Sequence, residues 1–326
     1  MTEILSNPYV VWAIKTLIIF AGAMTAAAYM VWVERRVAAW MQDRIGPNVV
    51  GPFGLLQPVA DVLKLAFKEE VVPDRVDRLL HFLAPGILFA APIIALAVIP
   101  FGPGLYISNP DFGLLWLLAA TSIAGYGVIL GGLSSGSKYS VLGGLRSTSQ
   151  IISYEIPMMI AALGPAIMAG SLSLVDIVEA QRGMWFAIPQ FIGFLVFLIT
   201  TYAETNRLPF DLPEAESELV GGYHTEFSSL RFAWFFAGEY ANMVIASSAV
   251  SVLFMGGWYG PLPGINLFPG VHWMLLKVAF FLFLFVWVRW TLPRLRYDQL
   301  LHFSWKVLLP LALLNLFIAT AFRVIW

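Results

Sequence analysis

Three glutamates and one lysine lie inside long apolar stretches of the sequence, where ionisable side chains are rare. They are Glu155, Glu204, Glu239 and Lys277. A charged group in the hydrocarbon of a membrane costs so much free energy that it usually faces protein or water, often on a path for protons or ions. Because carboxylates exchange protons with water, the pattern predicts a proton path. The alternative is that each acid only binds a neighbouring helix; we favour the path for Glu155 and Glu239 and weigh both interpretations equally for Glu204.

A second group of acids is crowded into a short stretch between two apolar segments. Four carboxylates occupy eight positions and a fifth follows, namely Asp211, Glu214, Glu216, Glu218 and Glu226. Crowded carboxylates raise one another's pKa, so this stretch is expected to hold shared protons near neutral pH. Apolar residues and prolines are interleaved with the acids, which a freely solvated loop does not need. Two interpretations stay open, a coupling element that responds to nearby charge and a fixed docking surface.

Charged residues also stand where the first apolar stretch ends. The chain there reads Glu34-Arg35-Arg36, and Arg44 follows. The segment 54–70 then places its polar residues on one helical stripe, which consists of Gln57, Asp61, Lys64 and Lys68. That spacing predicts an amphipathic helix at a membrane interface. Anchoring alone explains a charged helix end, so a binding role requires Arg44 and the stripe to converge on it.

The composition indicates what kind of scaffold must position these groups. Of 326 residues, 59% are apolar and 12% are charged, against about 45–50% and about 25% in soluble domains. A soluble enzyme is therefore excluded. The formal net charge of −1 gives no electrostatic case for nucleic acid. The chain has no cysteine, so it supplies no thiolates to an iron–sulfur cluster, and no metal-ligand cluster is apparent. A haem held by His81 and His302 is a minor alternative.

The fold class predicted is an all-α polytopic membrane protein, with eight transmembrane helices and the amphipathic helix in one membrane domain. About 20 apolar residues are needed to cross the hydrocarbon. The segments that qualify are 10–33, 79–99, 112–133, 147–169, 185–205, 232–258, 271–290 and 303–326. The first is expected to be a retained span, because it is too long for a signal peptide and has no basic residue before Lys15.

The basic residues predict the orientation of these spans. Arginines and lysines are concentrated in the connections 34–78, 134–146, 206–231 and around 294–296, whereas the alternate connections contain only Arg182. The basic side is expected to be cytoplasmic, so both termini face the other side. Glu155 then lies about 12 Å and Glu239 about 10 Å inside the cytoplasmic ends of their spans, at 1.5 Å per residue.

Several strings of the sequence closely resemble one family of membrane proteins. The family contains the H subunit of bacterial NADH:quinone oxidoreductase and its counterpart, subunit one of mitochondrial complex I. The resemblance covers nearly the whole chain, and its strings are long and in order. They are Glu34-Arg35-Arg36, 44–61 (RIGPNVVGPFGLLQPVAD), 136–140 (GSKYS), 153–155 (SYE), 207–216 (RLPFDLPEAE) and 296–300 (RYDQL).

The resemblance implies a subunit of a proton-translocating enzyme of the bacterial inner membrane. Members of the family carry no redox centre and take quinone as substrate, while FMN and iron–sulfur clusters lie in partner subunits. Those partners are peripheral-arm subunits beside the last cluster and small neighbouring membrane subunits. Quinone enters from lipid between span one, span six and the amphipathic helix. The implied tunnel residues are Glu34, Arg35, Arg44, Asp61 and Arg289; Glu155, Glu204 and Glu239 correspond to the family's proton path, and the acidic loop to its coupling loop.

Other classes remain open at this stage. Relatives in photosynthetic complexes and membrane-bound hydrogenases share parts of the strings, although Glu239 favours the respiratory branch. A secondary transporter would also bury charges, but no inverted repeat is apparent. A passive anchor would need no buried acids. A transporter is expected to be stable alone, whereas a complex subunit is expected to purify with a large quinone-reducing assembly.

Overall fold

The computed structural model describes residues 8–213, 216–260 and 270–325 of the chain. The structure is helical, and we number its α-helices in chain order. They are α1 Pro8–Met41, α2 Gln57–Phe67, α3 Arg78–Leu96, α4 Gly113–Ser134, α5 Lys138–Ala169, α6 Leu174–Ala180, α7 Phe191–Glu204, α8 Glu216–Leu219, α9 Ser229–Phe254, α10 Val271–Thr291, α11 Tyr297–Phe303 and α12 Leu309–Ile325. A π-helical turn, Ser304–Leu308, joins α11 to α12.

The predicted fold class, an all-α polytopic membrane protein, is confirmed. Within the described residues, seven helices are long and apolar enough to cross a membrane, counting α11 and α12 as one continuous helix. The eighth predicted span, 185–205, contains α7, a shorter apolar helix of 14 residues. Several helices begin or end well outside the predicted segments, because apolar content alone does not mark a helix end.

The late start of α7 has a local cause. Proline has no backbone N–H and disfavours the α conformation in the residue before it, and Pro189 stands two residues before α7 begins. Residues 186–190 instead form turns, in which the amide of Ala187 donates to the carbonyl of Phe254 at 2.8 Å. The apolar run is thus divided between a packed turn and a helix.

Helix α9 lies at the centre of the molecule. In its most apolar 18-residue window 89% of the residues are buried, against 17% in α1. Close backbone approach makes this packing possible: a Cβ at Gly238 of α9 would lie 2.5 Å from Cδ2 of Leu88 on α3, and a Cβ at Gly127 of α4 would lie 2.7 Å from its Cβ. Small residues permit this approach between membrane helices.

The charged residues gather at one end of the helices. The ends of α1, α7 and α10 meet the starts of α5 and α9 there, as the ion pairs described below show. Helix α1 continues to Met41, so Glu34 and Arg35 lie on the helix rather than beyond it. This end therefore brings the predicted tunnel residues and the predicted proton path within reach of one another.

Candidate functional site

A cavity of about 350 Å³ lies between α1, α2 and α9. Its lining is almost entirely apolar, and the polar side chains that reach it are Arg35, Asp61 and Tyr240. Ala28 and Val62 of the lining are exposed, so the cavity opens on the outer surface of the helices. A cavity of this size and character suits a small amphiphile, with its apolar part along the walls and its polar part near the charged residues.

Helix α2 is fastened at both ends beside this cavity. Near its start, Arg35 Nη1 donates to Asp61 Oδ2 at 2.8 Å, and Gln57 Nε2 donates to Asp61 Oδ1 at 2.9 Å. At its end, Ser229 Oγ lies 3.0 Å from the carbonyl of Leu65 and 2.8 Å from that of Lys68. The polar stripe predicted on α2 thus turns Asp61 towards α1.

Arg44 does not line the cavity. Its side chain is exposed on the connection between α1 and α2, and Arg36 organises that connection by donating to the carbonyls of Pro47 and Phe53 at 3.0 and 3.1 Å. Gly54 has a φ of +76°, and a Cβ there would overlap the carbonyl oxygen of Pro47, so this tight turn requires glycine. The expected convergence therefore holds Arg35 and Asp61 but leaves Arg44 outside.

Behind the wall of the cavity, Glu34 is buried among three donors from other segments. The hydroxyl of Tyr240 donates to its Oε2 at 2.9 Å, Arg207 Nη1 lies 3.5 Å from the same oxygen, and Arg289 Nη1 pairs with Oε1. The Glu34 side chain is 7% exposed. A carboxylate at this depth needs such partners, because burying an unpaired charge is strongly unfavourable.

Arg207 links Glu34 to a second buried acid. Its Nη2 lies 3.9 Å from Glu239 Oε2, and its guanidinium stacks 4.4 Å from the ring centre of Tyr240. Glu239 Oε1 accepts a hydrogen bond of 2.6 Å from the hydroxyl of Tyr223. Two carboxylates and two guanidiniums therefore form one buried, charge-balanced network across α1, α9, α10 and the segment after α7.

Glu204 and Glu239 share a small cavity between α3, α4, α5, α7 and α9. Its volume is about 10 Å³, roughly that of one water molecule. Glu204 is 8% exposed, and its Oε2 has no hydrogen-bond partner among the described residues. Glu155 does not line this cavity: it accepts from Ser122 on α4, although it is near enough to Glu204 for the two carboxylates to repel each other.

The polar residues around Glu155 hold neighbouring segments in place. Gln150 Nε2 donates to the carbonyls of Ala203 and Phe210, both at 2.8 Å, and Tyr154 donates to the carbonyl of Leu300 at 2.9 Å. The crevice suggested by these side chains in the sequence is thus largely filled by backbone.

Lys277 is not brought together with the glutamates. It lies on the second turn of α10, at the end of the molecule opposite Arg289, and its side chain is buried. Its Nζ donates to the carbonyls of Met255, Gly257 and Tyr259 at 2.5, 2.8 and 2.6 Å. These three acceptors use all three donors of an ammonium group.

The acidic loop is packed rather than free. Phe210, Leu212 and Leu219 are buried, and Asp211 and Glu226 are partly buried. Glu214 and the side chain of Glu216 lie outside the described part of the chain. Glu218 pairs with Arg146 of α5 and lies 3.7 Å from Arg294.

For Glu218 the expectation of a raised pKa is wrong. The hydrogen bond from Arg146 holds the pKa of this carboxyl below its usual value. A basic neighbour thus outweighs the crowding of acids, and Glu218 is ionised at neutral pH.

The sequence did not single out Arg207, Tyr223, Tyr240 or Ser122 as site residues. Arg207 counted only towards the charge of its loop, and a tyrosine in an apolar helix is usually a core residue. Only the adjacency of Tyr240 to Glu239 was a usable signal.

Comparisons with known proteins agree along the whole chain. The sequence model of the family described as NADH dehydrogenase matches residues 14–320. The second of the H subunits of NADH-quinone oxidoreductase in Geobacter sulfurreducens is 50% identical, over 93% of this chain and 94% of its own. The H subunit of Brevibacillus brevis is 49% identical, over 94% and 91%. The H subunit of Rhodospirillum centenum is 50% identical, over 92% and 90%.

Proposed function

The chain belongs to the family of H subunits of NADH-quinone oxidoreductase, the bacterial complex I, and from this premise we propose that the cavity between α1, α2 and α9 admits the quinone substrate. The observation that carries the proposal is an apolar cavity of about 350 Å³ with Arg35, Asp61 and Tyr240 at its polar positions. As a multi-pass membrane subunit of that enzyme, the chain has the other subunits of complex I as partners.

The two kinds of lining match the two parts of a quinone. The apolar walls suit an isoprenoid tail that arrives from lipid past the exposed residues Ala28 and Val62. The Arg35–Asp61 pair and the Tyr240 side chain suit the carbonyl-bearing ring. Glu34 and Arg289 lie directly behind Tyr240, so we assign them to the polar end of the tunnel.

A substitution that fills the cavity tests this assignment. Ala28 lines it and is exposed, so Ala28→Phe places a ring in the space without displacing packed atoms. We expect the KM for quinone to rise at least fivefold in the assembled complex, while NADH oxidation by ferricyanide, an acceptor that needs no quinone site, is unchanged. Ala21→Phe, two turns earlier on an exposed face of α1 and outside the lining, is the matched control. An unchanged KM in Ala28→Phe contradicts the assignment.

We further propose that Glu155, Glu204 and Glu239 form the proton path. Glu204 and Glu239 face one cavity of about one water's volume, and Glu155 is their electrostatic neighbour. Lys277 is far less suited to this path, since its contacts are carbonyls at the opposite end of α10. Its geometry supports a structural role instead.

The acidic loop keeps its two interpretations, and a double substitution separates them. Glu214→Gln with Glu216→Gln removes two charges without shortening either side chain. Loss of proton pumping in a fully assembled complex supports coupling, whereas dissociation of the peripheral arm supports docking. Unchanged assembly and pumping contradict both.

The arm is proposed to dock at the charged end of the helices, where Arg44 is exposed. That end is then cytoplasmic and both termini are periplasmic, as the basic residues predict. Small membrane subunits are proposed to cover other faces. FMN and iron–sulfur clusters are assigned to partner subunits, since this chain has no cysteine. Within the described residues no group of three metal-binding side chains is found.

A further inference from the structure

Arg207 stands between two acids that belong to different sites. Glu34 lies behind the wall of the quinone cavity, and Glu239 lines the inner cavity with Glu204. The guanidinium is 3.5 Å from one carboxylate and 3.9 Å from the other. Charge-assisted hydrogen bonds close at about 2.7–2.9 Å, so neither pair is closed. A movement of about 1 Å in either direction would close one pair and open the other.

The surroundings of Arg207 permit such a movement. Its guanidinium lies over the face of the Tyr240 ring, and a cation can slide across an aromatic face without losing its attraction to it. The side chain is 8% exposed, so water screens the competition between the two acids weakly. Tyr240 itself lines the quinone cavity and donates to Glu34. The arginine is thus in contact with a residue that a bound quinone would touch.

The charges around the two acids are unequal. Glu34 is approached by Arg289 as well as Arg207, while Glu239 has Arg207 as its nearby cation and the Tyr223 hydroxyl as donor. Glu34 therefore keeps a counter-ion when Arg207 leaves it, and the ionisation of Glu239 depends more strongly on where Arg207 stands.

We propose that Arg207 is a positioning residue that acts as a shared counter-ion and passes the charge state of Glu34 to Glu239. When Glu34 is protonated, Arg207 moves to Glu239 and stabilises its carboxylate. When Glu34 is ionised, it holds Arg207, and Glu239 takes up a proton more readily. The proposal rests on the quinone cavity and the proton path assigned above and names the side chain that joins them.

Infrared difference spectroscopy on the intact complex tests the proposal. The reduced-minus-oxidised spectrum is recorded with quinone, and the carboxyl band of Glu239 is identified by its loss in Glu239→Gln. Glu34→Gln is expected to shift or weaken this band when residue 207 is arginine. In the double variant Glu34→Gln with Arg207→Gln, the substitution at position 34 is expected to have no further effect. The number of protons pumped per electron is expected to fall at least twofold in Arg207→Gln and to recover in part in Arg207→Lys.

Controls make the outcome decisive. Arg182→Gln removes an arginine from the connection at the opposite end of the helices and is expected to match the wild type. If Arg207→Gln does not assemble, Arg207→Lys replaces it, and the effect of Glu34→Gln is expected to fall by at least half. The proposal is overturned if the Glu239 band is absent from the wild-type spectrum, or if Glu34→Gln affects it equally with every residue at position 207. A normal KM for quinone in Ala28→Phe would instead contradict the cavity assignment, so the two failures are distinguishable.

Discussion

Glu34 is the residue with the most partners from distant parts of the chain. Its carboxylate meets side chains from α9, α10 and the segment after α7. Such a residue acts first on stability, because removing one member of a buried ion pair leaves the other charges unpaired.

Glu34→Gln is therefore expected to destabilise the assembled complex by about 3–5 kcal/mol. The matched control is Glu218→Gln, since Glu218 also pairs with an arginine but its side chain is 52% exposed. An exposed pair contributes about 0–1 kcal/mol. Thermal unfolding of both variants is the measurement, and equal shifts in the two would contradict the network.

Glu204 offers a cleaner test of chemistry than Glu34. Its Oε2 lacks a hydrogen-bond partner among the described residues, so Glu204→Gln removes the titratable group with little loss of packing. We expect normal assembly and a fall of at least tenfold in NADH:quinone reduction, as when a proton-transfer group is lost. Glu179→Gln, an exposed acid outside the network, serves as control. Turnover and pumping at wild-type levels would exclude Glu204 from the path.

At the scale of elements, Lys277 joins the second turn of α10 to the end of α9. Three carbonyls of the connection 255–259 converge on its ammonium group, and the Trp185 ring lies 4.7 Å away. This arrangement satisfies carbonyls that the end of a helix leaves without partners.

Lys277→Met keeps the length of the side chain and removes the charge and the donors. Because each lost hydrogen bond to a charged group costs about 1.5–3 kcal/mol, we expect a marked fall in the unfolding temperature. The protons pumped per electron are expected to stay at the wild-type value in the protein that remains folded. Lost pumping with unchanged stability would restore Lys277 to the proton path.

The elements also show what a sequence can and cannot predict. Spans were found because about 20 apolar residues have few other uses, and Glu155, Glu204 and Glu239 were noticed because acids in such runs are rare. Arg207 was missed because folding returns a loop residue into the helices, which no local pattern records. The short α7 was missed because hydropathy counts Trp185 and Phe186 as span, whereas Pro189 decides where the helix begins.

At the scale of the whole molecule, the absence of cysteine makes the orientation directly measurable. A cysteine at Gly183, where a side chain meets no atom within 4 Å, is expected to react with a membrane-impermeant thiol reagent in intact cells. A cysteine at the exposed position Glu69 is expected to react only after the membrane is permeabilised. The reverse pattern would invert the topology, and the unsubstituted chain is the control because it has no thiol.

The central position of α9 has a consequence for how the protein is made. This helix carries Glu239 and Tyr240, is the least apolar of the seven candidate spans and is the most buried. A translocon releases a segment into lipid according to its apolar character, so the helix that bears the chemistry is the one least able to insert by itself. Biosynthesis must then hold α9 until α3 and α4 are available to receive it, and substitutions such as Leu88→Ala would act on the yield of inserted protein before they act on catalysis.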